Sequence, residues 1–482
     1  MLLTVTTMPP TSESSPPETE PFRVYRHTLP NGLRVWLQPR SDSESATALL
    51  AIRAGSRYEQ PANNGVSHFV EHMLFTGTER WSEEEIKDMI TRRGGRWNGR
   101  TGPETTTYFA QVSAQDFEIA LDWLAQVVFH PTFPADKVEN ERRIIFQERW
   151  GRYGWLINTL DSLGFGYELD RDVRRALFPG STLGLRVAGE DASLENLDRA
   201  ALTSYYQMHY TPQNAALIVT GNVLPDETLQ KVQVYWGDLE RKGRPSQPET
   251  PQAPEDGPYQ IVVRGPLATD QTRLMVGART VGRVHPDRWA LNVLAEVLRQ
   301  DLMREIRYRQ GLVYGLGAHN EIFDDAGYFV VSTTSASKNQ AKILATINAH
   351  LDEIKQGEID PGRVAEAKAA LQGRWALSME DSLARANWLA KWAMALDDDQ
   401  PMPDYEAAIE AVTSSDLARV VTTYFSPQRC YVGRHQPGAT VASGATAVGA
   451  MIGLGVAAWA GRKLWRRRKS LKGSGIDVPP GE

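Results

Sequence analysis

The chain has 482 residues, of which 41% are hydrophobic and 23% charged, and its net charge is −6. This length allows two or more domains, and the composition is that of a globular protein. A single cysteine, Cys430, excludes an internal disulfide and a cysteine-rich metal cluster. Residues 462–482 hold seven basic and two acidic residues, so the remaining body carries −11. An acidic body argues against nucleic-acid binding and mildly favours basic peptide substrates.

The two ends of the chain differ in composition. Residues 1–21 are rich in Pro, Ser, Thr and Glu, and we expect them to be disordered, without a secretory signal or a transit peptide. Residues 437–461 contain no charge and are long enough to span a bilayer, and the basic tail 462–482 follows at once. The pattern predicts a single-pass C-terminal membrane anchor, with a flexible Ala/Gly linker as the alternative.

The orientation of this predicted anchor is set by two opposing signals. The basic tail favours the cytoplasmic side, which would place the body outside the cell. No export signal precedes the anchor, and this favours a cytoplasmic body. We predict the cytoplasmic body.

The first half begins with strands and then reaches a helix that carries candidate ligands. Residues 24–40 predict two strands around an Asn31-Gly32 turn, and residues 47–53 predict a buried strand. The sequence His68-Phe-Val-Glu-His72 follows. Because residues three and four apart share one face of a helix, both imidazoles and the carboxylate of Glu71 point the same way.

This pentapeptide suits a zinc site. Imidazoles are common zinc ligands, and a catalytic zinc takes three protein ligands and keeps one open position. Glu71 is then the spare carboxylate that can take a proton from water. HxxEH is the inverted form of the commoner zinc-protease motif. A buried amphipathic helix with two incidental histidines would look similar, so the interpretation requires a third ligand elsewhere.

Downstream elements supply further candidates. Residues 105–113 predict a strand rich in Thr and Tyr, which could bind an extended substrate at the edge of a sheet. Residues 135–150 predict a long helix on which Glu141 and Glu148 lie two turns apart, on one face. Charged pairs on an exposed helix are the usual explanation of such glutamates. The proline-rich residues 244–258 predict an interdomain linker.

The second half repeats the first weakly. Four segments recur in the same order, those that start at Thr47, Thr106, Phe133 and Tyr210 matching those that start at Thr272, Ala326, Ile359 and Tyr424. A duplicated unit predicts an α+β fold of two repeated mixed α/β sandwich halves, to which the C-terminal transmembrane helix is added. The second copy lacks HxxEH and has Gly373 or Arg374 in place of Glu148, so we predict one metal site per chain.

These observations divide the chain into six predicted segments. They are a disordered segment 1–21, a zinc-binding half 22–243, a linker 244–258, a second half 259–436, a membrane anchor 437–461 and a basic tail 462–482.

With these motifs in place, residues 23–435 resemble the pitrilysin/insulinase family of zinc metallopeptidases, the HxxEH inverzincins. Within that family they resemble more closely the short-chain branch that contains the mitochondrial processing peptidase subunits. That family takes its third zinc ligand from a glutamate well downstream of the motif, and Glu148 lies 76 residues after His72. The resemblance therefore implies one Zn²⁺ per chain, held by His68, His72 and Glu148.

The resemblance also implies roles for residues outside the ligand set. Glu141 matches an additional glutamate that supports the ligands, and Asn98 in GGRWNGRT matches an asparagine that contacts the substrate backbone. Arg307 and Tyr314, seven apart in REIRYRQGLVYG, match a pair that holds substrate and polarises its carbonyl. Taken alone, such an Arg and Tyr would be a surface salt bridge and a packed ring. The implied activity is that of a zinc metalloendopeptidase that cleaves peptides or unfolded segments, with Glu71, Arg307 and Tyr314 as its catalytic residues.

Two alternatives to a self-sufficient enzyme remain open. Respiratory-complex core proteins resemble this family but act as structural subunits and typically lack an intact zinc site. A zinc subunit of a heterodimeric peptidase would rely on a second subunit for the Arg/Tyr pair, whereas this chain carries its own. Because the chain supplies two of the four units that enclose a chamber in long-chain members, the resemblance implies a homodimer with shared sites, or a heterodimer with a related subunit.

Two departures from the family pattern bear on the substrate. Residues 180–182 are Gly-Ser-Thr, where the family often has a histidine and a proline. We find no glycine-rich loop like that of the mitochondrial α subunit. Presequence processing is therefore not predicted.

Overall fold

The computed structural model describes residues 22–150, 168–252, 259–268, 270–426 and 429–439. Two mixed sheets form the framework of this part of the chain. The first sheet contains β1 (Tyr25–Thr28), β2 (Arg34–Pro39), β3 (Ser45–Ile52), β4 (Arg96–Thr101), β5 (Thr106–Ser113) and β6 (Ala215–Gly221). The second contains β7 (Tyr259–Ala268), β8 (Gln271–Thr280), β9 (Val313–Ile322), β10 (Gly327–Ala336) and β11 (Cys430–Ala439).

The two sheets share one strand order. The first runs β1-β2-β6-β3-β5-β4, and the second runs β7-β11-β8-β10-β9. Each has one parallel pair, β2 with β6 and β7 with β11, beside an antiparallel series. The second sheet thus repeats the first except for β1. The predicted duplication of an α/β unit is supported.

Helices cover both sheets. Those of the first half are α1 (Val66–Leu74), α2 (Glu83–Thr91), α3 (Phe117–Phe129), α4 (Ala135–Trp150), α5 (Leu169–Leu177), α6 (Asp191–Asn196), α7 (Arg199–His209) and α8 (Pro225–Trp236). Those of the second are α9 (Asp287–Leu302), which continues as a π-helix over Met303–Arg309, α10 (Gln340–Lys355), α11 (Pro361–Ser378), α12 (Ser382–Ala395), α13 (Tyr405–Glu410) and α14 (Ser414–Tyr424).

Each half contributes one helix that packs on the sheet of the other half. Helix α12 follows the second sheet in sequence but packs on β3 and β6 of the first, where Leu389 and Trp392 join a buried cluster with Trp36. Conversely, α5 packs on β7 and β11, where Leu169 and Val173 are buried. Burial of such apolar faces stabilises the arrangement by about 25 cal/mol per Å². The halves are therefore held against each other by apolar packing.

The predicted position of the substrate-binding edge is wrong. The predicted strand 105–113 corresponds to β5, which pairs with β3 on one side and β4 on the other, so its backbone groups are already used. The edge strand on this side of the described first sheet is β4. Its sequence, RWNGRT, contains Asn and Gly, which are depleted in strands, so propensity alone does not identify it.

The predicted membrane anchor also requires correction. Pro437 to Ala439, the first three residues of the predicted span, belong to β11 and pair with β7. Across the described residues, no helix has both the length and the apolar character needed to cross a bilayer. The described part of the chain therefore has two α/β halves and no transmembrane helix, and the predicted single-pass membrane anchor is not supported. Residues 1–21, 440–461 and the tail 462–482 lie outside the described residues.

Candidate active site

The helix that carries the HxxEH motif begins at a tightly fixed turn. Gly65 has φ 98°, and a Cβ there would lie 2.7 Å from the Cα of Gly189, so both the conformation and the space favour glycine. The fully buried Glu59 carboxylate accepts hydrogen bonds from the Asn64 side chain at 2.7 Å and from the backbone N–H groups of Gly65 and Ser67 at 2.8 Å. These bonds satisfy N–H groups at the start of the helix, which have no partner within it. The turn therefore fixes where the motif residues point.

Three of the predicted residues meet as a potential metal-binding group. Nε2 of His68 lies 3.7 Å from Oε2 of Glu148, and Nε2 of His72 lies 3.4 Å from the same oxygen. The three ligand atoms all lie within 4.8 Å of one another. Ligands about 2.1 Å from a tetrahedral zinc ion stand about 3.4 Å apart. The spacing and the N₂O donor set therefore fit Zn²⁺.

Glu141 lies behind the histidines on the same helix as Glu148. Its Oε2 is 3.0 Å from Nδ1 of His72. Burial alone would lower the pKa of His72, but this hydrogen bond and the nearby carboxylates raise it. A carboxylate on Nδ1 fixes the ring and leaves Nε2 as the ligand atom. For His68, burial and the neighbouring His72 lower the pKa to about 4, so this imidazole is neutral at physiological pH.

Glu71 points into the same cavity from the middle of the motif. It is 8% exposed, and Oγ1 of Thr101 donates a hydrogen bond of 2.5 Å to its Oε2. Burial raises the pKa of Glu71, and the hydrogen bond from Thr101 acts in the opposite direction. A raised pKa suits a carboxylate that accepts and then returns a proton.

Sequence reasoning missed two residues that position Glu71. Gly99 and Thr101 lie on β4, and a Cβ at Gly99 would stand 2.8 Å from Cγ and Oε1 of Glu71. Residues two apart face the same side of a strand. Identifying β4 as a strand would have placed this pair together beside the motif helix.

This contact predicts the effect of a small substitution. In Gly99→Ala, the added methyl group must displace the Glu71 side chain, and a displacement of about 1 Å can lower kcat by about 100-fold. Gly373→Ala is the matched control, because nothing lies within 4 Å of a Cβ added there. Equal kcat in both variants, measured on a quenched fluorescent peptide, would contradict the proposed contact.

The remaining predicted residues fall in two places. Asn98 lines the same cavity of about 490 Å³ as the histidines and the three glutamates. Arg307 and Tyr314 are not among its lining residues and belong to the second half. The Arg307 guanidinium lies 5.2 Å from the ring centre of Tyr314, whose surface is 89% exposed. The structure thus brings the predicted site residues of the first half together and leaves the Arg/Tyr pair outside this cavity.

Both halves of the chain are similar to known proteins. Residues 34–151 match the insulinase family (peptidase family M16), and residues 196–371 match the peptidase M16 inactive domain. An uncharacterized zinc protease from Mycobacterium leprae is 31% identical over 76% of this chain and 81% of its own length. This chain belongs to the insulinase family. The resemblance drawn from the sequence motifs is confirmed.

Three further proteins are similar to this chain in sequence or in fold. The beta subunit of the mouse mitochondrial-processing peptidase is 26% identical over 82% of this chain and 81% of its own length. A protease from Helicobacter pylori has a similar fold, with a TM-score of 0.77 at 21% identity, covering 86% of this chain and all of that protein. A peptidase M16 inactive domain from Pseudomonas fluorescens has a TM-score of 0.76 at 17% identity, over 86% of this chain and 99% of its own. At these identities the two solved structures show the fold alone.

Proposed function

We propose that this protein is a zinc-dependent endopeptidase that hydrolyses peptides or unfolded segments. The observation that carries the proposal is the convergence of two imidazoles, Glu148 and the buried Glu71 in one cavity beside strand β4. Relatives named zinc proteases support the metal and the reaction class. A structural subunit without catalysis would not need four such groups in one cavity.

The proposed zinc ligands are His68, His72 and Glu148, one ion per chain. Zinc in such a site polarises the substrate carbonyl and makes water more acidic. Glu141 holds the His72 ring in its ligating orientation through Nδ1. Glu71 takes the proton from the attacking water and passes it to the leaving amine.

Strand β4 is the proposed place for the substrate backbone. It is an edge strand of the described first sheet and forms one wall of the cavity that contains Glu71. An extended peptide can pair with an open strand through backbone hydrogen bonds, which select little for sequence. Asn98, exposed on this strand, is placed to contact the peptide backbone.

Arg307 and Tyr314 are the proposed groups that stabilise the oxyanion. Neither lines the cavity of its own chain, and Tyr314 is almost fully exposed. We therefore propose that they act in the site of a second chain, in a homodimer with two equivalent shared sites. A heterodimer is the alternative, favoured by relatives that are named as a beta subunit.

The two glutamates of α4 predict different defects. Glu148→Gln removes a proposed ligand and is expected to lower bound zinc at least about tenfold, whereas Glu141→Gln keeps zinc and mainly lowers the rate, by about 10- to 100-fold. Atomic emission on purified variants measures the first effect and a peptide assay the second. Equal zinc in Glu148→Gln and wild type would remove Glu148 from the ligand set.

The reaction class is tested on the purified full chain. Incubation with unstructured peptides should give internal fragments, identified by mass spectrometry, and a zinc chelator should stop their appearance. A chain that binds stoichiometric zinc but cleaves no peptide in a broad set would contradict the endopeptidase and favour the structural role.

A further inference from the structure

A second cavity lies between the two halves, beside the proposed active site. Its volume is about 260 Å³, and its walls come from the β4–β5 hairpin, from the end of β9 with the turn that follows, and from helix α12. Arg100, on β4, lines both this cavity and the cavity around Glu71. A substrate that lies along β4 would therefore reach it.

Most charged groups around this cavity are already paired. Glu104 accepts hydrogen bonds from the backbone N–H of Asp324 at 2.9 and 3.0 Å and forms an ion pair with Arg57 at 2.5 Å. Arg283 pairs with Asp324 at 3.2 Å, and Arg57 pairs with Asp325 at 2.6 Å. These contacts hold the β4–β5 turn against the β9–β10 turn. The charged groups that make them are paired with one another and are not available to a ligand.

Two cations in the same cavity remain without such partners. The side chains of Arg100 and Lys391 form no hydrogen bond and no ion pair with any residue that the structure describes, and both are exposed to the cleft. Reduced access to water lowers the pKa of Lys391, and the positive charge of Arg283 lowers it further, with the carboxylate of Glu321 opposing. Glu321 itself lies 3.9 Å from His319. Among the groups of this cavity that have no close partner of opposite charge, two are therefore cations, Arg100 and Lys391, and one is a carboxylate, Glu321.

The order of residues along β4 indicates which substrate side chain would reach the second cavity. Gly99 adjoins Glu71, and the wall of the second cavity runs from residue 100 to residue 105. An extended peptide advances about 3.3 Å per residue, so a side chain about two to four residues from the scissile bond would face these cations.

We propose that Arg100 and Lys391 form a subsite for an acidic side chain of the substrate. The proposal rests on the proposed peptidase function and adds a preference that backbone pairing alone does not supply. A carboxylate that enters the cavity gains two charge-assisted partners, and a lysine in its place meets like charge.

The test uses quenched peptides of one neutral sequence in which a single position at a time is Glu, Gln or Lys. For wild type, we expect one position about two to four residues from the cleaved bond at which kcat/KM is about five- to tenfold higher for Glu than for Gln, and lowest for Lys. In Lys391→Gln this Glu/Gln ratio should fall below about twofold, and in Lys391→Glu it should invert. Lys355→Gln, an exposed lysine at the end of α10, is the matched control and should retain the wild-type ratio.

Failure of the subsite and failure of the peptidase are distinguishable. Cleavage without a Glu preference at any position, or a preference that persists in the Arg100→Gln/Lys391→Gln double variant, would overturn the subsite and leave the peptidase intact. Fluorescence anisotropy measures the binding of the same peptides to Glu71→Gln protein, and this measurement does not need turnover. Tighter binding of the Glu peptide without cleavage by wild type would support the subsite and contradict the peptidase.

Discussion

Glu71→Gln protein should retain its zinc and lose peptide cleavage by about 10²- to 10⁴-fold. The substitution preserves the shape of the side chain but removes the group that accepts a proton from water. The site should otherwise survive, because Thr101 can still donate its hydrogen bond to the amide oxygen at the position of Oε2. Zinc content by atomic emission and kcat on a quenched peptide measure the two effects separately.

A matched exposed glutamate controls for the change of charge. Glu195→Gln, on α6, should keep both zinc and activity. Substantial cleavage by zinc-loaded Glu71→Gln protein would rule out Glu71 as the general base. Loss of zinc in that variant would instead place Glu71 among the ligands.

Mixing two inactive variants should restore activity if sites are shared between chains. Glu71→Gln disables the zinc half, and Arg307→Ala disables the second half. In a mixed dimer, one of the two sites joins an intact zinc half to an intact Arg/Tyr half. Random pairing of equal amounts makes half of the dimers mixed, so about a quarter of all sites should be active.

The exchange of subunits must be shown independently. Native mass spectrometry identifies mixed dimers. Arg309→Ala, which changes a neighbouring exposed arginine paired with Glu305, is the control and should be active without being mixed with a second variant. Confirmed exchange with no return of activity would refute the shared site. A monomer that is fully active at all concentrations would refute the dimer.

Helical periodicity explains why much of the site could be predicted from sequence. His68, Glu71 and His72 depend only on the spacing of one helix, and Glu141 and Glu148 on that of another. Their convergence depends on tertiary packing of α1 against α4, which spacing alone does not determine. The resemblance to the family, which takes its third ligand from a downstream glutamate, predicted that Glu148 lies near the two histidines.

The errors come from features that local pattern does not encode. Strand β4 was missed because Asn98 and Gly99 are poor strand formers, and with it the contacts of Thr101 and Gly99 to Glu71. Residues 437–439 were assigned to a membrane helix from their lack of charge, although tertiary pairing with β7 places them in a strand. The expectation of basic substrates, drawn from the overall acidic charge, stays a prediction, and the proposed subsite of Arg100 and Lys391 predicts the opposite preference at one position.

The most direct measurement of the central claim is a zinc titration of metal-free protein. Chelator-treated protein should show no peptide cleavage, and activity should rise linearly with added zinc and reach its plateau at one equivalent per chain. His72→Ala protein, which lacks a proposed ligand, should not recover under the same conditions. Cleavage that persists in metal-free protein, or that zinc does not restore, would contradict a zinc-dependent peptidase.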